Sequence, residues 1–156
     1  RSRHTMNQLQ RLKTLFLVLI ITAPAISRAN AETPAVMALA TLDRFMIAFN
    51  DQDIKAWAAT LHYPHVRFAS SRVMIYDSAT AFEDRSVFPA LQAAGWHHSL
   101  WTRHTITLSS DTKVHIDTEF ERRNAYNETI GRYRSLYIVT KKDGHWGIQA
   151  RSSLAP

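Results

Sequence analysis

The chain has 156 residues, of which 46% are hydrophobic, so it can form one domain with a buried core but not two ordinary domains. It contains no cysteine, which excludes disulfide bonds, thiolate catalysis and thiolate metal sites. Its formal net charge is +6 at pH 7. What this charge implies about binding partners depends on where the basic residues lie along the chain.

The N-terminal segment has the pattern of a secretory signal peptide. Arg11 and Lys13 precede the apolar run LFLVLIITAPAI, and the segment ends in Ala29-Asn30-Ala31, an A-x-A cleavage site. The run is shorter than the roughly 20 apolar residues that cross a bilayer, so we expect no membrane contact after cleavage. We predict that residues 1–31 are removed and that the remaining protein is secreted or periplasmic.

Most of the net charge belongs to this segment. Residues 1–31 contain five basic residues and no acidic one, whereas the whole chain contains 19 basic and 13 acidic residues. Residues 32–156 therefore keep 14 basic residues against 13 acidic ones, a formal net charge of +1. A nucleic-acid-binding domain needs a basic stripe on its surface, so we predict no nucleic-acid partner.

Two helices are predicted at the start of residues 32–156. Thr33 can cap the free amides of a first helix, and Pro34 at the first helical position loses no donor that the helix needs. The first helix is expected to continue to about Asn50, because apolar residues recur every three or four positions: Leu39, Leu42, Met46 and Phe49. A second, shorter helix is predicted to begin between Asp51 and Asp53.

The pattern changes after the second helix. Tyr63-Pro64 favours an extended backbone, and residues 65–69 and 72–76 predict a short hairpin. A third helical segment follows, in which Thr80 and Glu83 have the spacing of a capping box. We expect Pro89 to bend or break this segment and Gly95 to end it.

Four long strands are predicted in the C-terminal half, over residues 97–108, 113–123, 132–140 and 145–151. Asp143-Gly144 has the composition of a two-residue hairpin turn between the last two strands. Because long strands twist and curl, the amphipathic helices must cover one face of a curved sheet. The predicted fold is α+β: a curved antiparallel sheet of about four long strands plus a short hairpin, covered by three N-terminal helices to form a cone with an interior pocket, with residues 32–156 as a single domain.

This element order, together with the ending DGHWGI at residues 143–148, resembles the nuclear-transport-factor-2-like superfamily and its cystatin-like cone, which includes SnoaL-like proteins. Three motifs resemble uncharacterised exported bacterial members more narrowly: HYPHVR at 62–67, GWHHS at 95–99 and WGIQAR at 146–151. The resemblance implies the cone fold. It implies no single chemistry, because the superfamily includes isomerases, dehydratases and binding modules without catalysis.

Alternation along the long strands separates an apolar face from a polar face. The apolar set is predicted to meet the helices: Val114, Ile116, Phe120, Leu136, Ile138, Trp146, Ile148 and Ala150. The polar set has two interpretations. In the first interpretation, the polar set forms the outer face of the sheet, which is solvated or packed against a second subunit. Asp117 and Arg151 could then form an ion pair. Alternatively, it lies at the mouth of the cone, where His115 oriented by Asp117 could move protons and Tyr137 could polarise a carbonyl.

Four further residues are predicted to contact a ligand. His65 and Arg67 share one face of the first short strand, and the arginine could bind a carboxylate or enolate through two parallel hydrogen bonds. The alternative for this pair is a structural salt bridge in the core. Trp96 and His98 lie where the third helix meets the first long strand, which in this fold is near the rim of the interior.

Three hypotheses for function remain open at this point. The first is an exported domain that binds a small apolar or mixed-polarity molecule in the cone. The second is an isomerase or dehydratase that needs no cofactor and uses His115, Asp117 and Tyr137. The third is a homodimeric interaction module without catalysis. No metal is predicted, because the histidine spacings match no familiar ligand pattern.

Overall fold

The computed structural model describes residues 32–85 and 87–156, so the predicted signal peptide at 1–31 lies outside the described residues. The described chain forms helices α1 (Pro34–Asn50), α2 (Ile54–Ala59), α3 (Ala79–Glu83) and α4 (Phe88–Ala93). Its strands are β1 (Leu61–Phe68), β2 (Val73–Tyr76), β3 (His98–Ser109), β4 (Lys113–Arg123), β5 (Thr129–Lys142) and β6 (His145–Ser153). Within these residues, no helix combines the length and apolar character needed to cross a membrane.

The strands form one curved, open sheet in the order β2-β1-β6-β5-β4-β3. Strand β1 runs parallel to β6, and all other neighbours are antiparallel. The predicted α+β cone is therefore confirmed. The sheet of the described chain has six strands rather than four, because the short hairpin joins it through the pairing of β1 with β6.

Helix α1 begins as predicted and covers the inner face of the sheet. The hydroxyl oxygen of Thr33 accepts a hydrogen bond from the Val36 amide at 3.3 Å, and Pro34 occupies the first helical position. The face of the helix toward the sheet is closed to solvent at Ala38, Leu42 and Phe45. An amphipathic stripe of this kind stabilises the helix by packing more than by its own propensity.

The third helical segment differs from its prediction in two details. It is two short helices, and the break between α3 and α4 precedes Pro89. Proline in the first turn of α4 loses no needed donor, so it starts a helix there instead of breaking one. The cap of α3 is Ser78, whose hydroxyl accepts from the Ala81 amide at 3.2 Å, so the capping role predicted for Thr80 is wrong.

The register of β4 and β5 decides which side chains face the helices. Residues directly opposite each other in an antiparallel pair share a face. Ile116 lies opposite Tyr137, and Val114 lies opposite Val139, and all four side chains are buried. The prediction that Leu136 and Ile138 face the helices is therefore wrong, because these two residues occupy the alternate positions on the outer face.

A bulge in β6 changes the face of its last residues. Ile138 pairs with Ala150 and Val139 pairs with Ile148, so Gln149 is an extra residue without a partner in β5. Arg151 consequently pairs with Tyr137 and shares its inward face. The predicted alternation, with Ala150 facing the helices and Arg151 facing away, is wrong for this reason.

We predict that Ile116→Ala lowers the free energy of unfolding by roughly 2–5 kcal/mol, because the side chain is fully buried and leaves a cavity. The matched control Ile75→Ala removes the same atoms from a side chain that is 61% exposed, so its loss should be below about 1 kcal/mol. Urea unfolding monitored by circular dichroism measures both. Equal losses would contradict the described burial.

Candidate functional site

A cavity of about 700 Å³, partly open to solvent, lies between the helices and the inner face of the sheet. Much of its wall is aromatic: Phe45, Phe49, Trp57, Trp101, Phe120 and Tyr137. The rings of Phe45 and Tyr137 meet edge to face with their centroids 5.6 Å apart, and Trp57 packs against Phe45 at 5.5 Å. The interior of the cone is therefore a preformed, largely apolar pocket.

Five arginines also line this cavity: Arg67 of β1, Arg72 of the β1–β2 turn, Arg85 of the α3–α4 connection, Arg122 of β4 and Arg151 of β6. The described walls contain no aspartate, glutamate or histidine. Among residues 32–85 and 87–156, no ion pair involves any of these five arginines. The cavity is thus cationic as well as aromatic.

Burial affects the ionisation of these arginines. Burial is the main cause that lowers the pKa of Arg67 to about 10, and the nearby charges of Arg151 and Arg85 lower it further. The pKa values of Arg85 and Arg122 are also lowered, again mainly by burial, with Arg151 contributing to both. The pKa of Arg67 still lies well above 7, so its guanidinium group is positively charged at neutral pH.

Aromatic rings lie against three of the guanidinium groups, and those of Arg151 and Arg85 contact rings of the cavity wall. The guanidinium carbon of Arg151 lies 5.3 Å from the ring centroid of Tyr137 and 5.8 Å from that of Phe45. Arg85 lies 4.7 Å from the ring centroid of Phe82 and 5.0 Å from that of Trp57. Such cation–π contacts favour a fixed position for each charge. The buried Nε atoms of Arg67, Arg122 and Arg151 have no hydrogen-bond partner in the described chain.

Tyr137 is the one residue of the predicted catalytic set that lines the cavity. Its side chain is buried, and burial raises the pKa of its hydroxyl, although the charges of Arg151 and Arg67 oppose this shift. The hydroxyl therefore stays protonated at neutral pH.

His115 and Asp117 lie on the opposite face of the sheet. Asp117 accepts hydrogen bonds from Arg103 at 2.8 Å and from Arg134 at 2.9 Å, and Arg103 is the main cause that lowers the pKa of this carboxyl group. The predicted pairing of Asp117 with Arg151 does not form. Because the sheet separates His115 and Asp117 from Tyr137, the predicted His115–Asp117–Tyr137 set is not assembled.

Of the four predicted ligand contacts, Arg67 lines the cavity and the other three do not. His65 is buried in the core, and its Nδ1 donates to the carbonyl oxygen of Ile148 at 3.1 Å. The indole nitrogen of Trp96 donates to the hydroxyl oxygen of Ser99 at 2.9 Å, and its ring packs against Phe49. These contacts occupy Nδ1 of His65 and the indole nitrogen of Trp96.

His98 is placed beside its neighbour, His97. The Nδ1 atoms of the two imidazoles lie 3.2 Å apart, away from the cavity wall. Within the described part of the chain, no three histidine, aspartate or glutamate side chains are grouped as metal ligands.

Residues 34–155 match the family model described as NTF2-like protein (DUF6841). The chain belongs to this NTF2-like family. No curated protein matches the sequence. Among solved structures, the NTF2-like chain is similar to a protein of unknown function with a cystatin-like fold from Nostoc punctiforme, with a TM-score of 0.64 and 13% identity over 78% of this chain and 90% of that one.

Two further solved structures have the same likeness. An NTF2-like protein with a cystatin-like fold from Novosphingobium aromaticivorans has a TM-score of 0.63 and 11% identity, covering 78% of this chain and 80% of that one. A ketosteroid isomerase-like protein from Erwinia carotovora has a TM-score of 0.59 and 19% identity, covering 81% of this chain and 99% of that one. At these identities the likeness shows the fold alone.

The sequence prediction missed four cavity arginines of the NTF2-like chain: Arg72, Arg85, Arg122 and Arg151. Arg122 carried a usable signal, because it continues the inward alternation of Ile116 and Phe120 along β4. Arg151 carried none, because only the bulge at Gln149 turns it inward. Arg85 lies in a connection between short helices, where no periodic pattern indicates direction.

We predict that His65 makes the NTF2-like domain sensitive to mild acid. Burial is the main cause that lowers the pKa of His65 from 6.5 to about 4 in the folded protein, and the hydrogen bond to Ile148 partly opposes the shift. The unfolded chain therefore takes up this proton first as the pH falls. The free energy of unfolding should decrease by roughly 3 kcal/mol between pH 6.5 and about pH 4. At lower pH, His65 should cause no further decrease.

The variant His65→Asn tests this prediction, because an asparagine amide can still donate to the Ile148 carbonyl but does not titrate. Urea unfolding of both proteins from about pH 7 to about pH 4 measures the difference. We expect the difference in free energy of unfolding between the unaltered protein and His65→Asn to decrease as the pH falls. Parallel pH profiles would assign the acid sensitivity to other groups.

Proposed function

We propose that this NTF2-like chain is an exported domain that binds a small, largely apolar molecule of mixed polarity in its cone. The observation that carries the proposal is the aromatic cavity of about 700 Å³. A concave, mostly apolar pocket of this size, with a few polar groups to orient the ligand, is typical of small-molecule sites. The proposal of export rests on the N-terminal sequence pattern.

Binding is a better fit to the cavity than isomerisation or dehydration. Proton abstraction next to a carbonyl needs a base within hydrogen-bond reach of the substrate. The described walls of the cavity contain no aspartate, glutamate or histidine side chain, and the raised pKa of Tyr137 keeps its hydroxyl protonated. The likeness to a ketosteroid isomerase-like protein is one of fold and does not supply the missing base.

We predict that the neutral fluorescent probe N-phenyl-1-naphthylamine binds saturably, because its two aromatic rings can pack against the rings of the wall. The variant Ala90→Trp places an indole in the cavity wall and should weaken binding at least about tenfold. A fluorescence titration measures the dissociation constant.

Two variants control this experiment. Ala93→Trp adds the same indole to α4 at an exposed position outside the cavity wall, and Asp117→Asn alters only the outer face of the sheet. Both should bind the probe as the unaltered protein does. Equal weakening by the two tryptophan variants, or the absence of saturable binding, would contradict a ligand site in the cone.

A homodimer formed through the outer face of the sheet is a second proposal, supported by a row of apolar side chains. Phe68 lies opposite Val73, and both are about half exposed. Ile75 lies opposite Val66 in the next row, and Val66 pairs with Ala150 in β6. Contiguous exposed apolar side chains of this kind mark interaction surfaces more often than isolated ones do. A second copy of the chain presents the same apolar row.

We predict that Ile75→Lys weakens self-association, because it places a charge in the middle of this apolar row. The control Val36→Lys introduces the same charge at a similarly exposed position on α1. Sedimentation velocity should detect a dimer that Ile75→Lys dissociates and Val36→Lys leaves intact. A monomer at all concentrations, or equal effects of the two variants, would contradict the dimer.

A further inference from the structure

The arginines inside the cone differ from those on its outer face. Every ion pair in the described chain uses Arg103, Arg123, Arg132 or Arg134, each with a carboxylate of β4. The five arginines of the cavity come from β1, the β1–β2 turn, the α3–α4 connection, β4 and β6, and none has such a partner among the described residues. The cavity arginines therefore form a separate group, without ion pairs among the described residues.

This arrangement has a cost in free energy. Arginine is rarely buried without a partner, and a buried polar group without a hydrogen bond costs free energy. The Nε groups of Arg67, Arg122 and Arg151 are buried and lack acceptors among the described residues. Arg151 is also close enough to Arg67, Arg85 and Arg122 for its charge to act on each of them.

An anion would supply what the walls lack. Guanidinium groups bind carboxylate, sulfonate and phosphate oxygens through charge-assisted hydrogen bonds, often two in parallel. The rings of Phe45, Phe120 and Tyr137 pack against the guanidinium group of Arg151 and favour a fixed position for it. The same aromatic walls offer surfaces for a flat organic body beside the charged group.

We propose that the molecule bound in the cone is an organic anion, with an aromatic or apolar body on the aromatic wall and a carboxylate, sulfonate or phosphate among Arg67, Arg122 and Arg151. This inference rests on the proposed binding function and narrows the class of its ligand. Arg85, held over Trp57 and Phe82, adds positive potential on the helical side of the cavity.

The test compares two probes that share one aromatic body. The probe 8-anilino-1-naphthalenesulfonate carries a sulfonate, and N-phenyl-1-naphthylamine lacks it. We expect the sulfonate probe to bind the unaltered protein at least about tenfold more tightly, because charge-assisted hydrogen bonds form with the arginines. Competition by 1-naphthoate and by 1-naphthyl phosphate then shows which anionic group the arginines prefer.

Single variants locate the effect. Arg67→Gln, Arg122→Gln and Arg151→Gln should each reduce the preference for the sulfonate probe several-fold, measured as the ratio of the two dissociation constants on the same variant. The control Arg134→Gln removes the same charge from the outer face and should leave the preference intact. Circular dichroism identifies the variants that fold, and the comparison of the two probes on the unaltered protein requires no variant.

The outcomes separate this inference from the function on which it rests. If Ala90→Trp abolishes binding of the neutral probe but the unaltered protein binds both probes equally, the cone is a binding site and its ligand is not an anion. If the preference survives neutralisation of the cavity arginines, the anion site is elsewhere and the inference is overturned. If neither probe responds to Ala90→Trp, the proposed function itself fails.

Discussion

One extra residue in β6 determines the chemistry of the interior. Gln149 has no partner in β5, so the face on which each later residue of β6 lies is reversed. Without this bulge, strict alternation would place Ala150 in the cone and Arg151 on the outer face with Asp117. With the bulge, Arg151 pairs with Tyr137 and lies next to Phe45 and Phe120. A local irregularity of the sheet thus brings a cation into an aromatic core.

The cavity and its arginines depend on each other. Protein interiors are normally packed to the density of organic crystals, and apolar side chains at these positions could fill the cone. Guanidinium groups instead need water or an anion beside them, so the space around them stays unfilled. The aromatic rings supply the rigid wall, and the arginines prevent its collapse into a solid core. The same side chains therefore account for both the cavity and its positive charge.

Local signals in the sequence predict the elements but not the faces of the strands. Residues 113–123 were predicted as a strand and form β4, and Asp143 and Gly144 both have the positive φ angles that their hairpin turn requires. In β5, however, Leu136 and Ile138 alternate with Tyr137 and Val139, so either face could have been the buried one. Register against β4 makes that choice, and register is a long-range property that no local pattern contains.

Net charge conceals the separation of charge in this fold. Residues 32–156 contain nearly equal numbers of basic and acidic residues, and this balance says nothing of where each sign lies. The acidic side chains of β4 face outward and pair with outer arginines, while the described walls of the cavity contain no aspartate or glutamate side chain. An almost neutral domain can therefore enclose a strongly cationic site. Composition shows the first property, and only the pairing of strands produces the second.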